Sequence, residues 1–261
     1  MSSPRATALI TGASSGIGRD LAAQFAADGH DLVVVARRGE ALRALADELT
    51  ARHRITVATI AADLTQPDAP ARIFAEVSGR NTPVDVVVNN AGFGLHGTVA
   101  ELSLERQLEM IQVNVTALTA LTRLFLPAML LRNRGGVLNV ASTAAFQPGP
   151  LMAVYYATKA YVESFTEALA EEVRGSALRV SCLCPGPTAT EFADAAAMSD
   201  TNLFRGKTMT SSEVARTGYA GWKNGTVVVV PGLSNKIGMS LVRASPRLVV
   251  RRLVKRLNGR S

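Results

Sequence analysis

The sequence predicts an α/β fold: a doubly wound, seven-stranded parallel sheet in a single domain, followed by a basic helical extension. Three observations carry this. Short apolar runs rich in Val, Ile and Leu alternate with longer stretches of helical periodicity. The runs are apolar throughout, as strands covered by helices on both faces must be. No composition break or internal repeat interrupts the first 185 of the 261 residues. The main domain is therefore set at residues 1–233, and 234–261 is the extension.

In chain order, residues 6–10 read as a buried strand and 16–27 as a helix. Residues 31–36 are a Val-rich strand, and 40–52 have the polar and apolar faces of a surface helix. Strand at 55–61, helix at 69–78 and strand at 84–89 continue the alternation. A long helical stretch covers 102–131, with Pro127 placed to bend or end it. Strand 137–141, helix 154–174 and strand 178–183 follow, and 226–230 is the last strand.

Hydrophobic residues make up 48% and charged residues 19%, which suits a packed core and excludes a disordered chain. Aromatics are only 5%, so the core must be aliphatic. Cys182 and Cys184 cannot build a disulfide scaffold or a cysteine-rich zinc site. They lie two apart on one strand face and read as buried thiols. His30, His53 and His96 form no ligand set, so no metal is expected, and His96 reads as an exposed loop residue. The chain starts with no long apolar leader, and no run looks long enough to span a bilayer. A reduced, cytoplasmic setting is the expectation. The net charge of +7 is unevenly placed: residues 214–261 hold ten basic side chains and no acid, leaving the rest at −3. This does not suggest nucleic-acid binding.

The first strand runs into Thr11, Gly12, Ala13, Ser14, Ser15, Gly16, Ile17 and Gly18. Small residues between a strand and a helix let the backbone approach a pyrophosphate, and the helix N-terminus offers free N–H groups and a favourable dipole. A glycine-rich turn kept for packing alone is the other reading. The second strand ends in Ala36, Arg37 and Arg38. An acid at this place would hold a ribose 2′-hydroxyl, whereas guanidinium groups suit a 2′-phosphate. This favours NADP over NAD; the alternative is a solvated surface pair.

These motifs, with Asp63-Leu64, Asn89-Asn90-Ala91-Gly92, Asn114, Ser142, Tyr155-x-x-x-Lys159 and Pro185-Gly186, make the sequence similar to the short-chain dehydrogenase/reductase family. The resemblance runs through most of the chain. It implies a Rossmann-type fold, an NADP(H) cofactor and a Ser-Tyr-Lys site. By that resemblance Asp63 bonds the adenine, Lys159 holds the nicotinamide ribose, and Asn114 anchors a water in a proton relay. Thr188 and Thr190 match positions that contact the carboxamide and phosphates, though Thr188 replaces a common Val or Ile. Asp63 could equally cap a helix, Asn114 could serve a helix irregularity, and Ser142 could cap a strand end.

Elementary chemistry agrees. Ser142 follows a strand and so lies at the carboxyl edge of the sheet, where it can bond a substrate oxygen. Tyr155 and Lys159 are i and i+4 on one helix face. A free tyrosine titrates near ~10, and a nearby ammonium favours its phenolate. Tyr155 then acts as acid in reduction and base in oxidation. Tyr156, three residues from Lys159, is not excluded by geometry; the family spacing selects Tyr155 and leaves Tyr156 as a pocket aromatic.

The resemblance places Phe93, Leu95, Ala144, Phe146, Gln147, Tyr156 and Phe192 around a substrate, with 191–204 as a lid. This lining is largely apolar and has no cationic clamp, which suits an apolar ketone, aldehyde or alcohol. A dinucleotide-binding sensor without turnover, and an epimerase or dehydratase, are the alternatives. The resemblance also implies a homodimer or homotetramer joined through the 102–131 and 154–174 helices. Residues 245–257 form a basic amphipathic helix with Val249, Val250, Leu253, Val254 and Leu257 on one arc. It either packs on its own domain or a second subunit, or lies on an anionic membrane at its inner face.

Overall fold

The computed structural model describes residues 5–198, 200–204, 206 and 208–259; the leader reading at residues 1–4 lies outside them. Seven strands form one sheet: β1 (Thr7–Thr11), β2 (Asp31–Ala36), β3 (Val57–Ala61), β4 (Val86–Asn89), β5 (Gly136–Val140), β6 (Arg179–Leu183) and, last in the chain, β9 (Val228–Val229). Their order is β3-β2-β1-β4-β5-β6-β9, all parallel. The order reverses between β1 and β4. At such a switch point the loops after neighbouring strands diverge and leave a crevice. Thr188–Ala189 (β7) and Met209–Thr210 (β8) form a separate two-stranded ladder.

The helices are α1 (Gly16–Ala27), α2 (Gly39–His53), α3 (Ala69–Gly79), α4 (Leu104–Ile111), α5 (Leu118–Arg132), α6 (Ala153–Glu172), the short α7 (Phe192–Ala195), α8 (Ser211–Lys223), α9 (Leu233–Ala244) and α10 (Arg247–Asn258). Successive side chains of β2 show why both faces must be apolar. Leu32 and Val34 enter one core with Phe25, Leu42 and Trp222. Val33 and Val35 enter the opposite core with Ile73, Leu121 and Phe125. α1 and β2 have the bounds expected from sequence, and the other strands shift by one to two residues.

α7 and α8 have no counterpart in the sequence reading. α8 contains Gly218 and Gly221, which lower helix propensity. Their role is close approach: a Cβ at Gly218 would lie 2.5 Å from Leu183, and one at Gly221 2.4 Å from Val229. The available signal was the capping box of Thr210 and Glu213. α9 lies in the extension expected to be helical; its Met239 and Val242 are half-buried against the domain, while Leu233, Ile237 and Leu241 form an exposed apolar stripe.

The long helix also departs from expectation. α4 and α5 are joined through a π-type turn at Gln112–Ala117, and Pro127 sits inside α5 without ending it. The run Leu104–Arg132 is long and apolar enough to cross a membrane, contrary to the sequence reading. Its Leu121, Phe125 and Met129 pack into the domain core.

Asp85, 1% exposed, ties the amino edge of the sheet together. It accepts two bonds from Arg134 at 2.9 and 3.0 Å and one from the Thr7 amide at 3.2 Å. Asp85→Asn weakens the charge-assisted bonds and should cost about 2 kcal/mol of unfolding free energy, read from urea denaturation; an unchanged midpoint would show the pair to be dispensable.

Candidate active site

The carboxyl ends of β1, β4, β5 and β6 open into one cleft of about 490 Å³. Thr11 builds its floor. The Thr11 hydroxyl accepts from the amides of Asn90 (3.1 Å) and Ala91 (3.0 Å). The Asn90 side chain donates back to the Thr11 carbonyl at 2.9 Å and to the Gly12 carbonyl at 3.2 Å. This closeness explains two glycines. A Cβ at Gly12 or Gly18 would lie 2.8 or 2.3 Å from Asn90 Nδ2.

The glycine loop and α1 then line one end of the cleft with Ser14, Ser15, Gly16, Ile17 and Gly18. Ser15, the residue before α1, makes no side-chain cap, and no acid stands in the first turn. The first N–H groups and the positive dipole end are therefore open to an anion, which fits a pyrophosphate. Beyond them lie Arg37, Arg38, Asp63 and Leu64. Arg38 bonds Ser14 Oγ at 3.3 Å and Glu191 Oε2 at 3.0 Å. Glu191 also bonds Ser15, and these contacts hold its carboxyl below the usual range. Asp63 accepts from the Thr65 amide in a local turn, while α3 starts only after Asp68.

At the other end stand Ser142, Tyr155 and Lys159, with Asn90, Ala91 and Gly92 beside them. Ser142 caps a 3₁₀ turn, accepting from the Ala144 amide at 3.1 Å, and also bonds the Tyr155 hydroxyl. Lys159, 5% exposed, donates to the Val140 carbonyl at 2.8 Å, and its Nζ is 5.9 Å from the Tyr155 ring centre. Burial pulls Lys159 down to about 8 and pushes the Tyr155 phenol above its ordinary value, the Ser142 bond opposing. The expected lowering of Tyr155 is therefore not what these side chains produce by themselves, because desolvation outweighs it. Tyr156 turns away, its hydroxyl donating to Asn258 Oδ1 at 3.2 Å.

Asn114 lies behind this wall, within the π-type turn. Its Oδ1 accepts from the Phe93 amide, and its Nδ2 donates to the Phe93 carbonyl (3.0 Å) and to Thr158 (3.1 Å). It thereby fixes the loop after β4. Pro185, Gly186, Thr188 and Thr190 complete the rim, and Thr190 approaches Gly16.

Phe93, Ala144, Gln147, Tyr156 and Phe192 line the apolar part, as expected. Two expectations are corrected. Phe146 packs against the Val162 and Cys182 cluster and lies under the Arg243 guanidinium, so it faces the tail. Leu95 packs among the apolar side chains behind the wall and is not part of the lining. The sequence reading missed Met152, Met198, Leu203 and Phe204 as lining residues. It also misjudged His96, which is half-buried and bonds the Asn258 carbonyl at 2.7 Å. Cys182 and Cys184 are fully buried, as expected.

Together these features define a doubly wound α/β protein with a glycine loop at an uncapped helix start and a serine beside a buried tyrosine and lysine in one crevice. Residues 6–200 match the family model for short chain dehydrogenase, and the chain belongs to that family. It is 38% identical over 186 residues to an NADP-dependent 3-hydroxy acid dehydrogenase of Salmonella typhi, covering 70% of this chain and 73% of that one. It is 33% identical over 190 residues to a very-long-chain 3-oxoacyl-CoA reductase of Bos taurus, covering 71% of this chain but only 60% of the bovine protein. A short-chain dehydrogenase from Sphingobium yanoikuyae in complex with NADPH superposes with a TM-score of 0.82 at 31% identity, over 92% of this chain and 94% of that one.

Gly18→Ala forces the new methyl against Asn90 and the Gly12 carbonyl and should lower stability by about 2 kcal/mol. Gly79→Ala, at the end of α3 with nothing within 4 Å of its Cβ, is the control and should raise stability in thermal unfolding by no more than about 1 kcal/mol.

Proposed function

We propose that this protein is an NADP(H)-dependent oxidoreductase that interconverts an apolar ketone or aldehyde and its alcohol. The observation that carries this reading is Ser142 beside the buried Tyr155 and Lys159, opening onto an apolar wall. The cofactor, when bound, supplies or accepts the hydride. The uncapped start of α1 would take its pyrophosphate, and Arg37 and Arg38 its 2′-phosphate. Asp63, Leu64, Asn90, Ala91 and Gly92 would bracket its adenosine and ribose, with Pro185, Gly186, Thr188 and Thr190 on the far rim.

Ser142 holds the substrate carbonyl oxygen beside Tyr155. Tyr155 starts neutral, since burial disfavours its phenolate, and gives its proton to the oxygen during reduction. Lys159, ammonium below about pH 8, steadies the phenolate that remains. Asn114 keeps Phe93 and the β4 loop in place and holds the water through which Tyr155 recovers its proton. The Tyr156 hydroxyl is taken up by Asn258, so the wall it offers to substrate is its ring. The NADP-dependent relative supports the cofactor, and the very long acyl chain named for another relative supports a site with room for an apolar group. A second copy covers the α4–α6 side, where Leu104, Leu131 and Tyr161 are exposed, giving a homodimer or homotetramer in the cytoplasm.

Nicotinamide absorbance with a panel of aldehydes and ketones tests the reading. Tyr155→Phe should cost at least about a hundredfold in turnover, whereas Tyr156→Phe keeps most of it; the reverse order overturns the assignment. Stoichiometric NADPH consumption separates this activity from epimerisation or dehydration, and turnover of any kind from a sensor.

The pH profile has a definite sign. A raised Tyr155 pKa means that the base form grows with pH, so alcohol oxidation should accelerate from pH 7 upward. Carbonyl reduction should hold level and then fall above about pH 8, as Lys159 loses its charge.

Glu191 competes with a 2′-phosphate for Arg38. Its removal in Glu191→Gln should tighten binding of 2′,5′-ADP by roughly twofold to fivefold, measured by calorimetry. Weaker binding would mean that Glu191 positions Arg38 instead.

A further inference from the structure

The two tail helices carry more apolar surface than their own domain covers. α10 turns Val250, Val254 and Asn258 inward. Its Val249 and Leu253, on the same arc in sequence, remain 56% and 53% exposed. On α9, Leu233, Ile237 and Leu241 recur at i, i+4 and i+8, and all three are exposed. α9 and α10 themselves carry seven Lys and Arg side chains and no acid; one of these, Arg243, lies 3.9 Å from Glu163 of α6.

That charge decides what covers the face. A two-fold contact with a second copy would bring the cations of one tail against those of the other, which like-charge repulsion opposes. A surface of anionic lipid answers both features. Apolar side chains enter below the headgroups while Lys and Arg remain among the phosphates. We propose that α9 and α10 form a docking surface for an anionic membrane.

α10 is wired to the cleft. The Leu203 amide donates to the Leu257 carbonyl at 2.9 Å, and Asn202 Nδ2 donates to the Arg256 carbonyl at 3.0 Å. Leu203 and Phe204 line the apolar wall. Docking therefore sets the cleft's apolar side near the lipid, from which an apolar substrate enters. This second step rests on the substrate reading above; the docking itself does not.

The test uses the full chain, because deleting the tail would also remove Val250, Val254 and Asn258 from behind the cleft. The protein is sedimented with vesicles of phosphatidylcholine, with or without phosphatidylglycerol, at low and high salt. The expected result is binding to the phosphatidylglycerol vesicles that weakens with salt. Ile237→Glu with Leu253→Glu should reduce it at least tenfold, and Arg251→Gln or Arg252→Gln by about fivefold each. Turnover of a water-soluble aldehyde should stay unchanged in all variants, which also shows that they fold. Equal behaviour with both vesicle types overturns the proposal. So does a wild-type oligomer that the glutamate variants dissociate while vesicle binding persists. Docking without turnover of any carbonyl would sink the substrate reading and leave the docking intact.

Discussion

The mutual bonding of Thr11 and Asn90 is the constraint on which the site depends. Strand order reverses between β1 and β4, so the loops beyond these two strands have no ladder to align them. The Thr11 hydroxyl collects two amides from the β4 loop, and the Asn90 amide group returns two bonds to the β1 loop. The start of α1, the glycine loop and the path toward Phe93 all inherit their positions from this exchange. One turn further in, Asn114 repeats the device by gripping both backbone groups of Phe93.

Burial governs the chemistry at the other end. Tyr155 and Lys159 share one helix face, and burial is the largest influence on the ionisation of each. It favours the neutral phenol and moves the lysine toward neutrality. A neutral phenol bonded to Ser142 is in its proton-donating form. Any group that adds positive charge to the cleft shifts this balance toward the phenolate.

Legibility followed sequence distance. The strands were readable because alternation of buried runs and helices is a local pattern, and the cofactor-edge motifs each occupy a few adjacent residues. Gly12 and Gly18 were found for one reason, approach to a ligand, and the structure adds a second, contact with Asn90. What stayed hidden depended on remote partners. Asn258 meets Tyr156 across 102 residues and His96 across 162, and no local pattern announces either bond. Phe146 was misplaced because its position was carried by analogy, while the ring answers to a tail that the analogy did not cover. α8 was hidden by glycines that weaken a helix in isolation but let it approach the sheet.

The small β7–β8 ladder has a further consequence. Thr188 pairs with Met209 and Ala189 with Thr210, so both ends of the intervening chain close on the same two rungs. The segment between them supplies Phe192, Met198, Leu203 and Phe204 to the apolar wall. It is in effect a cassette. Substitutions at those four apolar positions would reshape the wall, while Thr190 and Glu191 at the segment's start tie it to Gly16 and Arg38.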